Sequence, residues 1–166
     1  IDTELKLECA SAENFSTNSN FDLILHFELI EHLNNPFEFL RSTYNLLKKG
    51  GIQHFHTPNG KGFDNLALGY NNFRPLAHGI FPPMHLQSFN VQNISHFLLR
   101  CGFSINEIET PGNFDVDITE KCKTHIHIEN SFKFIDKFSN EQLAIIQLWL
   151  RELCASSAMR CTISKN

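Results

Sequence analysis

No glycine occurs before Gly50 in this 166-residue chain. A nucleotide-binding α/β domain normally begins with a strand, a Gly-x-Gly turn and a helix, and that turn is missing here. Nor is there an initiator methionine: the chain opens at Ile1 and enters Glu4-Leu-Lys-Leu-Glu-Cys9, an alternating stretch that reads as a short strand. Both absences mark the sequence as the expected carboxyl-terminal part of a longer protein. Cysteine is present but unpatterned. The five (Cys9, Cys101, Cys122, Cys154 and Cys161) are odd in number and contain no Cys-x-x-Cys, which excludes a zinc knuckle and a disulfide frame and points to free thiols in a reducing, cytoplasmic setting. An excess of positive charge is lacking too. Lys and Arg total 14 against 18 Asp and Glu, a net charge of −4, so there is no electrostatic footprint for a nucleic-acid backbone. No apolar run approaches ~20 residues, which argues against a membrane-spanning helix, and no signal peptide is recognisable. Repeats and low-complexity tracts are absent, and residues 1–166 read as a single domain with one core.

What is there centres on Phe21-Asp-Leu-Ile-Leu-His-Phe-Glu-Leu-Ile-Glu-His-Leu33. Leu23, Ile24 and Leu25 form an unbroken apolar run, the signature of a parallel strand covered on both faces. His26, Glu28, Glu31 and His32 then arrive together. Glu28, Glu31 and His32 stand at i, i+3 and i+4, so on a helical turn they share one face. Such a group calls for a positive partner: a metal ion, a cationic ligand or a lysine. Asn35-Pro36 reads as N-cap and first residue of a helix, with Phe37, Leu40, Tyr44 and Leu47 as its apolar stripe and Lys48-Lys49-Gly50-Gly51 as its cationic end. A second strand, Ile52 to Thr57, runs into Pro58-Asn59-Gly60. The polar cluster therefore sits at the carboxyl end of the first strand, where open α/β sheets bind ligands.

Phe-Asp-Leu-Ile, then Phe-Glu-Leu-Ile-Glu-His-Leu, Leu-Leu-Lys-Lys-Gly-Gly and Thr-Pro-Asn-Gly together resemble class I S-adenosylmethionine-dependent methyltransferases. The likeness is nearest to the branch of ubiquinone-type O-methyltransferases and enzymes of cell-surface glycan clusters. It implies a Rossmann-like three-layer α/β fold with a mostly parallel sheet, whose amino-terminal strands and glycine loop are missing here. It makes residues 4–9 the third strand of that fold. It also implies S-adenosylmethionine as cofactor, with Phe27 and Glu28 beside its methionine end. The family usually reads Asp-Ala-Glu next to the adenine; this chain reads Ser11-Ala12-Glu13, and a serine can still bond the adenine amino group. The plain alternative for Ser11 is a surface loop with an N-cap.

Along the rest of the chain, His54 and His56 share one face of the second strand, a pair able to ligate a metal but more simply accounted for by a solvated edge or backbone hydrogen bonds. Residues 60–89 read as a substrate-facing cap, with a short helix at Phe63-Asp64 to Leu66. Pro82-Pro83-Met84-His85-Leu86-Gln87-Ser88-Phe89 resembles the branch's Pro-x-His-x-x-x-Phe. Asn90 caps a helix carrying Ile94, Phe97, Leu98 and Cys101, closed by Gly102, and a strand follows from Phe103 to Thr110. Asp115 and Asp117 read as a helix cap or as residues facing the site; His125 and His127 lie in an unpatterned connection. Ser139 and Gln142 form a capping box for a terminal helix over 139–161, with Leu143, Ile146, Leu150, Leu153 and Cys154 inward and Trp149 packing at its flank.

Methyl transfer from a sulfonium is an in-line displacement, so alignment and exclusion of water are the protein's main tasks. A hydroxyl acceptor must also lose a proton, to a base or under the charge of a cation. Glu28, Glu31, His32 and His85 fit a divalent cation such as Mg²⁺ or Mn²⁺. A similar Glu-x-x-Glu-His with a downstream His is the metal site of small-RNA 2′-O-methyltransferases. His32 or His85 acting as a metal-free base is the alternative. The expected activity is therefore methyl transfer to a hydroxyl or amine of a small molecule or sugar, by a protein that needs more than this chain to be active. The competing expectation is a degenerate, non-catalytic domain that has lost its cofactor.

Overall fold

Four strands build one sheet, and two amphipathic helices cover one of its faces. The computed structural model describes residues 6–68, 82–113, 115, 116 and 137–166. In chain order the elements are β1 (Phe21–Phe27), α1 (Pro36–Leu46), β2 (Leu47–Pro58), α2 (Phe63–Leu68), α3 (Val91–Arg100), β3 (Ser104–Glu109), α4 (Asn140–Glu152) and β4 (Ala158–Ser164), with 3-10 turns at Ala12–Asn14 and Ile30–His32.

The sheet order is β1-β2-β4-β3. β1 and β2 are parallel, in register from Leu23↔Ile52 to Phe27↔His56. β4 lies antiparallel between β2 and β3. The expected α/β architecture is present, but the sheet is mixed, because the chain after Glu152 leaves the helix and returns as β4. The terminal helix expected over 139–161 is thus shorter: the Ser139 capping box forms as expected, and the helix ends at Glu152. Its buried residues are Leu143, Gln147 and Leu150, whereas Leu153 and Cys154 lie outside it and are exposed. Residues 6–10 form no strand and are exposed.

Asn35 caps α1 by accepting a hydrogen bond from the Glu38 amide, with Pro36 at the first position. The helix stops at Leu46 without a glycine cap; Leu47 is already extended and fully buried, and Gly50 takes φ 76° inside the strand. Lys48 pairs with Asp22 on β1 at 2.7 Å, and the Gly50 amide donates to Lys165 O just after β4 at 2.7 Å, so the Lys-Lys-Gly-Gly stretch starts β2 instead of ending α1. α3 and its Asn90–Asn93 capping box follow the sequence closely, with Gly102 at φ 98° after it.

Leu40 and Phe39 of α1 and Ile94 and Leu98 of α3 pack on Phe55, Met159, Cys161 and Ile163 of the sheet, the principal core. A smaller core joins Val116 to Leu143 and Leu150. On the other face Leu23, Leu25 and Phe27 are each more than half exposed. Among the described residues β1 is the edge strand, and every second side chain points away from α1. The four described cysteines, Cys9, Cys101, Cys154 and Cys161, are free, and burial lifts the Cys161 thiol to about 12. Among the described residues no helix is long and apolar enough to cross a membrane.

Candidate functional site

The carboxyl ends of β1, β2 and β3 and the start of β4 lie along one edge of the sheet, and the candidate residues collect there. β1 ends at Phe27, and Glu28 follows with φ 48°, a left-handed conformation that costs a non-glycine residue about 1–2 kcal/mol. Its amide still donates to His56 O at 3.1 Å, so the turn is held to β2 as it leaves the sheet. Only Ile30–His32 then form a 3-10 turn. The helical face expected to carry Glu28, Glu31 and His32 together is therefore shorter than the spacing suggests: Glu28 precedes the turn. Its carboxyl nevertheless reaches Glu31, and burial first, then the Glu31 charge and hydrogen bond, raise its pKa.

Glu31 is the hub. It is 1% exposed. Its carbonyl accepts from the amides of Leu86, at 2.8 Å, and Gln87, at 3.0 Å, which staples the segment carrying His85 onto the turn. Oε2 of its carboxylate accepts from the Thr57 hydroxyl at 2.8 Å. Oε1 is buried and has no hydrogen-bond partner. It faces His32 Nε2 at 3.9 Å. The other nitrogen of His32, Nδ1, lies 2.5 Å from Met84 O, which fits a protonated Nδ1 that leaves Nε2 as the lone-pair donor. The His32 and His85 rings meet edge to face with centroids 4.4 Å apart. One donor atom from each of Glu31, His32 and His85 lies within 4.8 Å of the others. A buried carboxylate oxygen without a donor costs several kcal/mol unless a cation or proton compensates it, so this arrangement suits a divalent ion.

The remaining expected site residues lie outside the Glu31, His32 and His85 cluster. Phe27 is exposed at the end of β1, edge-on to His56 at 5.1 Å. Ser11 precedes the Ala12–Asn14 turn, exposed, and its side chain makes no capping bond. Ala12 is half-buried against the core and lines an apolar cavity of about 320 Å³ with Leu23, Leu25 and Phe39. His54 and His56 point to the other sheet face, where His54 Nδ1 bonds Thr162 Oγ1 at 3.0 Å; burial, His54 and Arg160 lower the His56 pKa. They lie apart from the Glu31 cluster and gather no third ligand among the described residues.

Asp115 lies in a helical stretch with Val116, apart from the three residues of the Glu31 cluster. It is buried, accepts from the Ser157 amide at 2.6 Å, and bonds Gln147 and Ser156, tying the turn after β3 to the entry of β4. Asp117, His125 and His127, and residues 69–81 of the expected cap, lie outside the described residues. The short helix expected at Phe63 is present as α2. Sequence reasoning passed over Thr57 and the Met84 carbonyl. The inward alternation of Gln53, Phe55 and Thr57 was a visible signal for the first, but only the β1–β2 register places that hydroxyl under Glu31.

Residues 3–108 match the family described as "Methyltransferase domain". A 33-residue stretch is 48% identical to the ubiquinone biosynthesis O-methyltransferase of Ruegeria pomeroyi, covering 20% of this chain and 13% of that protein. Among solved structures, an S-adenosylmethionine-dependent methyltransferase from Archaeoglobus fulgidus superposes with a TM-score of 0.58 at 16% identity, over 99% of this chain and 69% of that one. Phosphoethanolamine N-methyltransferase 2 of Haemonchus contortus, solved with S-adenosyl-L-methionine, gives 0.56 at 17% identity over 93% of this chain and 36% of that one. The chain thus spans about a third of the Haemonchus enzyme and a smaller part of the Ruegeria protein. At these identities the superpositions speak for the fold, and the family match covers well over half of the sequence. The chain belongs to the methyltransferase-domain family.

Proposed function

We propose that this chain carries the acceptor-activating half of an enzyme that transfers a methyl group from S-adenosylmethionine to a hydroxyl of a small molecule or sugar, with a divalent cation held by Glu31, His32 and His85. The observation that carries this reading is the buried, unpartnered Oε1 of Glu31 facing His32 Nε2. S-adenosylmethionine supplies an activated methyl group, and a cation supplies charge that lowers the pKa of an acceptor hydroxyl. The chain's own residues supply the rest. Glu28 leaves β1 in its left-handed turn, and its backbone would meet the methionine end of the cofactor there. Ser11, with a hydroxyl that makes no capping bond, and Ala12 are available to the adenine. Glu31, His32 and His85 offer one oxygen and two nitrogens, a donor set suited to Mg²⁺ or Mn²⁺ and also tolerant of softer ions.

A second reading has its own support. With Nδ1 held at Met84 O, His32 Nε2 can take the acceptor proton directly, the Glu31 carboxylate stabilising the imidazolium. Calorimetric titration of S-adenosylmethionine into the full-length protein, with and without Mn²⁺, tests both readings. Micromolar binding, about 8 kcal/mol, supports the cofactor. A Mn²⁺-dependent heat that disappears in His85→Ala supports the cation; methyl transfer unaffected by chelator supports His32 as base. Absence of cofactor binding in every condition would instead support a non-catalytic domain.

A further inference from the structure

Thr57 ends the inward-facing series of β2, and both it and Glu31 are 1% exposed. Its backbone is clamped between strands, opposite Met159 on β4, and as a β-branched residue it has little rotamer freedom. Glu31 is fixed at its other end by the two amides that bond its carbonyl. What remains is rotation of the Glu31 carboxylate about its last torsions; the Glu28 carboxyl reaches it from the preceding turn, and the Thr57 hydroxyl holds it by donating to Oε2 at 2.8 Å.

We propose that Thr57 is a positioning residue for the cation site: by engaging Oε2 it presents Oε1 alone to His32 and His85, so Glu31 binds through a single oxygen. The inference rests on the cation reading above. Metal-ligating carboxylates are commonly held by such outer hydrogen bonds, and losing one typically costs 10–100-fold in metal affinity. Without the hydroxyl, Oε2 is buried and unpaired, and the carboxylate turns to satisfy both oxygens at once. The site then loses its single-oxygen geometry. Nothing in this argument requires Thr57 to touch substrate or cofactor.

The test is titration of Mn²⁺ into the metal-free full-length protein, followed by calorimetry and by the Mn²⁺ electron paramagnetic resonance spectrum, for wild type, Thr57→Val and Thr57→Ser. Thr57→Val is expected to weaken Mn²⁺ binding about 10–100-fold and to change the spectrum of the bound ion, while Thr57→Ser, which keeps the hydroxyl, stays close to wild type. Thr57→Cys, with a weaker donor of similar volume, is expected to fall between them and replaces the valine variant if that does not melt cooperatively. Wild-type affinity and spectrum in Thr57→Val, or a Thr57→Ser as weak as the valine variant, would overturn the positioning role while leaving the cation site standing. A wild-type protein that binds no Mn²⁺ would overturn both.

Discussion

His26 lies flat against Phe55, with ring centroids 4.7 Å apart and an interplanar angle of 9°. The stack puts a titratable ring into the principal core, beside Phe39 edge-on at 5.3 Å and with Nε2 2.9 Å from Gln53 Nε2. Burial, helped by His54, lowers its pKa from 6.5 to about 4. Between those values the unfolded chain binds a proton that the folded chain refuses, so stability rises with pH across that window and is lost as pH falls through it. The difference amounts to about 3 kcal/mol at full extent. His26→Phe is expected to flatten the dependence of melting temperature on pH between about 4 and 6.5 relative to wild type. Parallel slopes for the two proteins would show that His26 titrates normally.

Glu28 holds φ 48° at the point where the chain leaves β1. Glycine accepts that angle without steric cost, whereas alanine does not. Glu28→Gly is therefore expected to be more stable than Glu28→Ala by about 1 kcal/mol in denaturant unfolding, the reverse of their usual order. Both are expected to weaken S-adenosylmethionine binding in the full-length protein. Two variants with wild-type cofactor affinity would leave Glu28 with a conformational role alone.

Gly112 marks the tightest approach in the clasp around Asp115. A Cβ there would overlap Ser156 Oγ and Asp115 Oδ2, and neither group can retreat without breaking the bonds to Gln147 and the Ser157 amide. Gly112→Ala is expected to destabilise the fold by about 1–3 kcal/mol. Because this clasp sits over β3 and β4, Mn²⁺ affinity at the Glu31 cluster should stay unchanged in the folded variant. A neutral melting shift would show that the turn relaxes freely.

Local chemistry was the legible part. The Asn35-Pro36 start of α1, the Asn90 cap and Gly102 end of α3, and the Ser139 box of α4 each rest on bonds within a few residues, and each formed where the sequence placed it. The Glu31-His32 pair was legible for the same reason: neighbours on one turn cannot be far apart. The long-range features were less so. Residues 158–161, expected as the end of the terminal helix, instead begin β4 because the gap between β2 and β3 offers two ladders of hydrogen bonds at once. The Lys-Lys-Gly-Gly stretch, chemically a helix end, starts β2 because its backbone pairs with the chain just after β4.

By itself, then, the sequence determined the family, the order of most elements and the chemical types gathered after β1, since these depend on residue identity and short spacing. Tertiary structure alone decided which atoms meet: that His85 arrives from a segment bonded to the Glu31 carbonyl, that Thr57 rises beneath Oε2, and that Oε1 is left bare beside His32. The reason is physical. Side chains many residues apart are brought within bonding distance by strand register and burial, and neither is written in any one stretch of the chain.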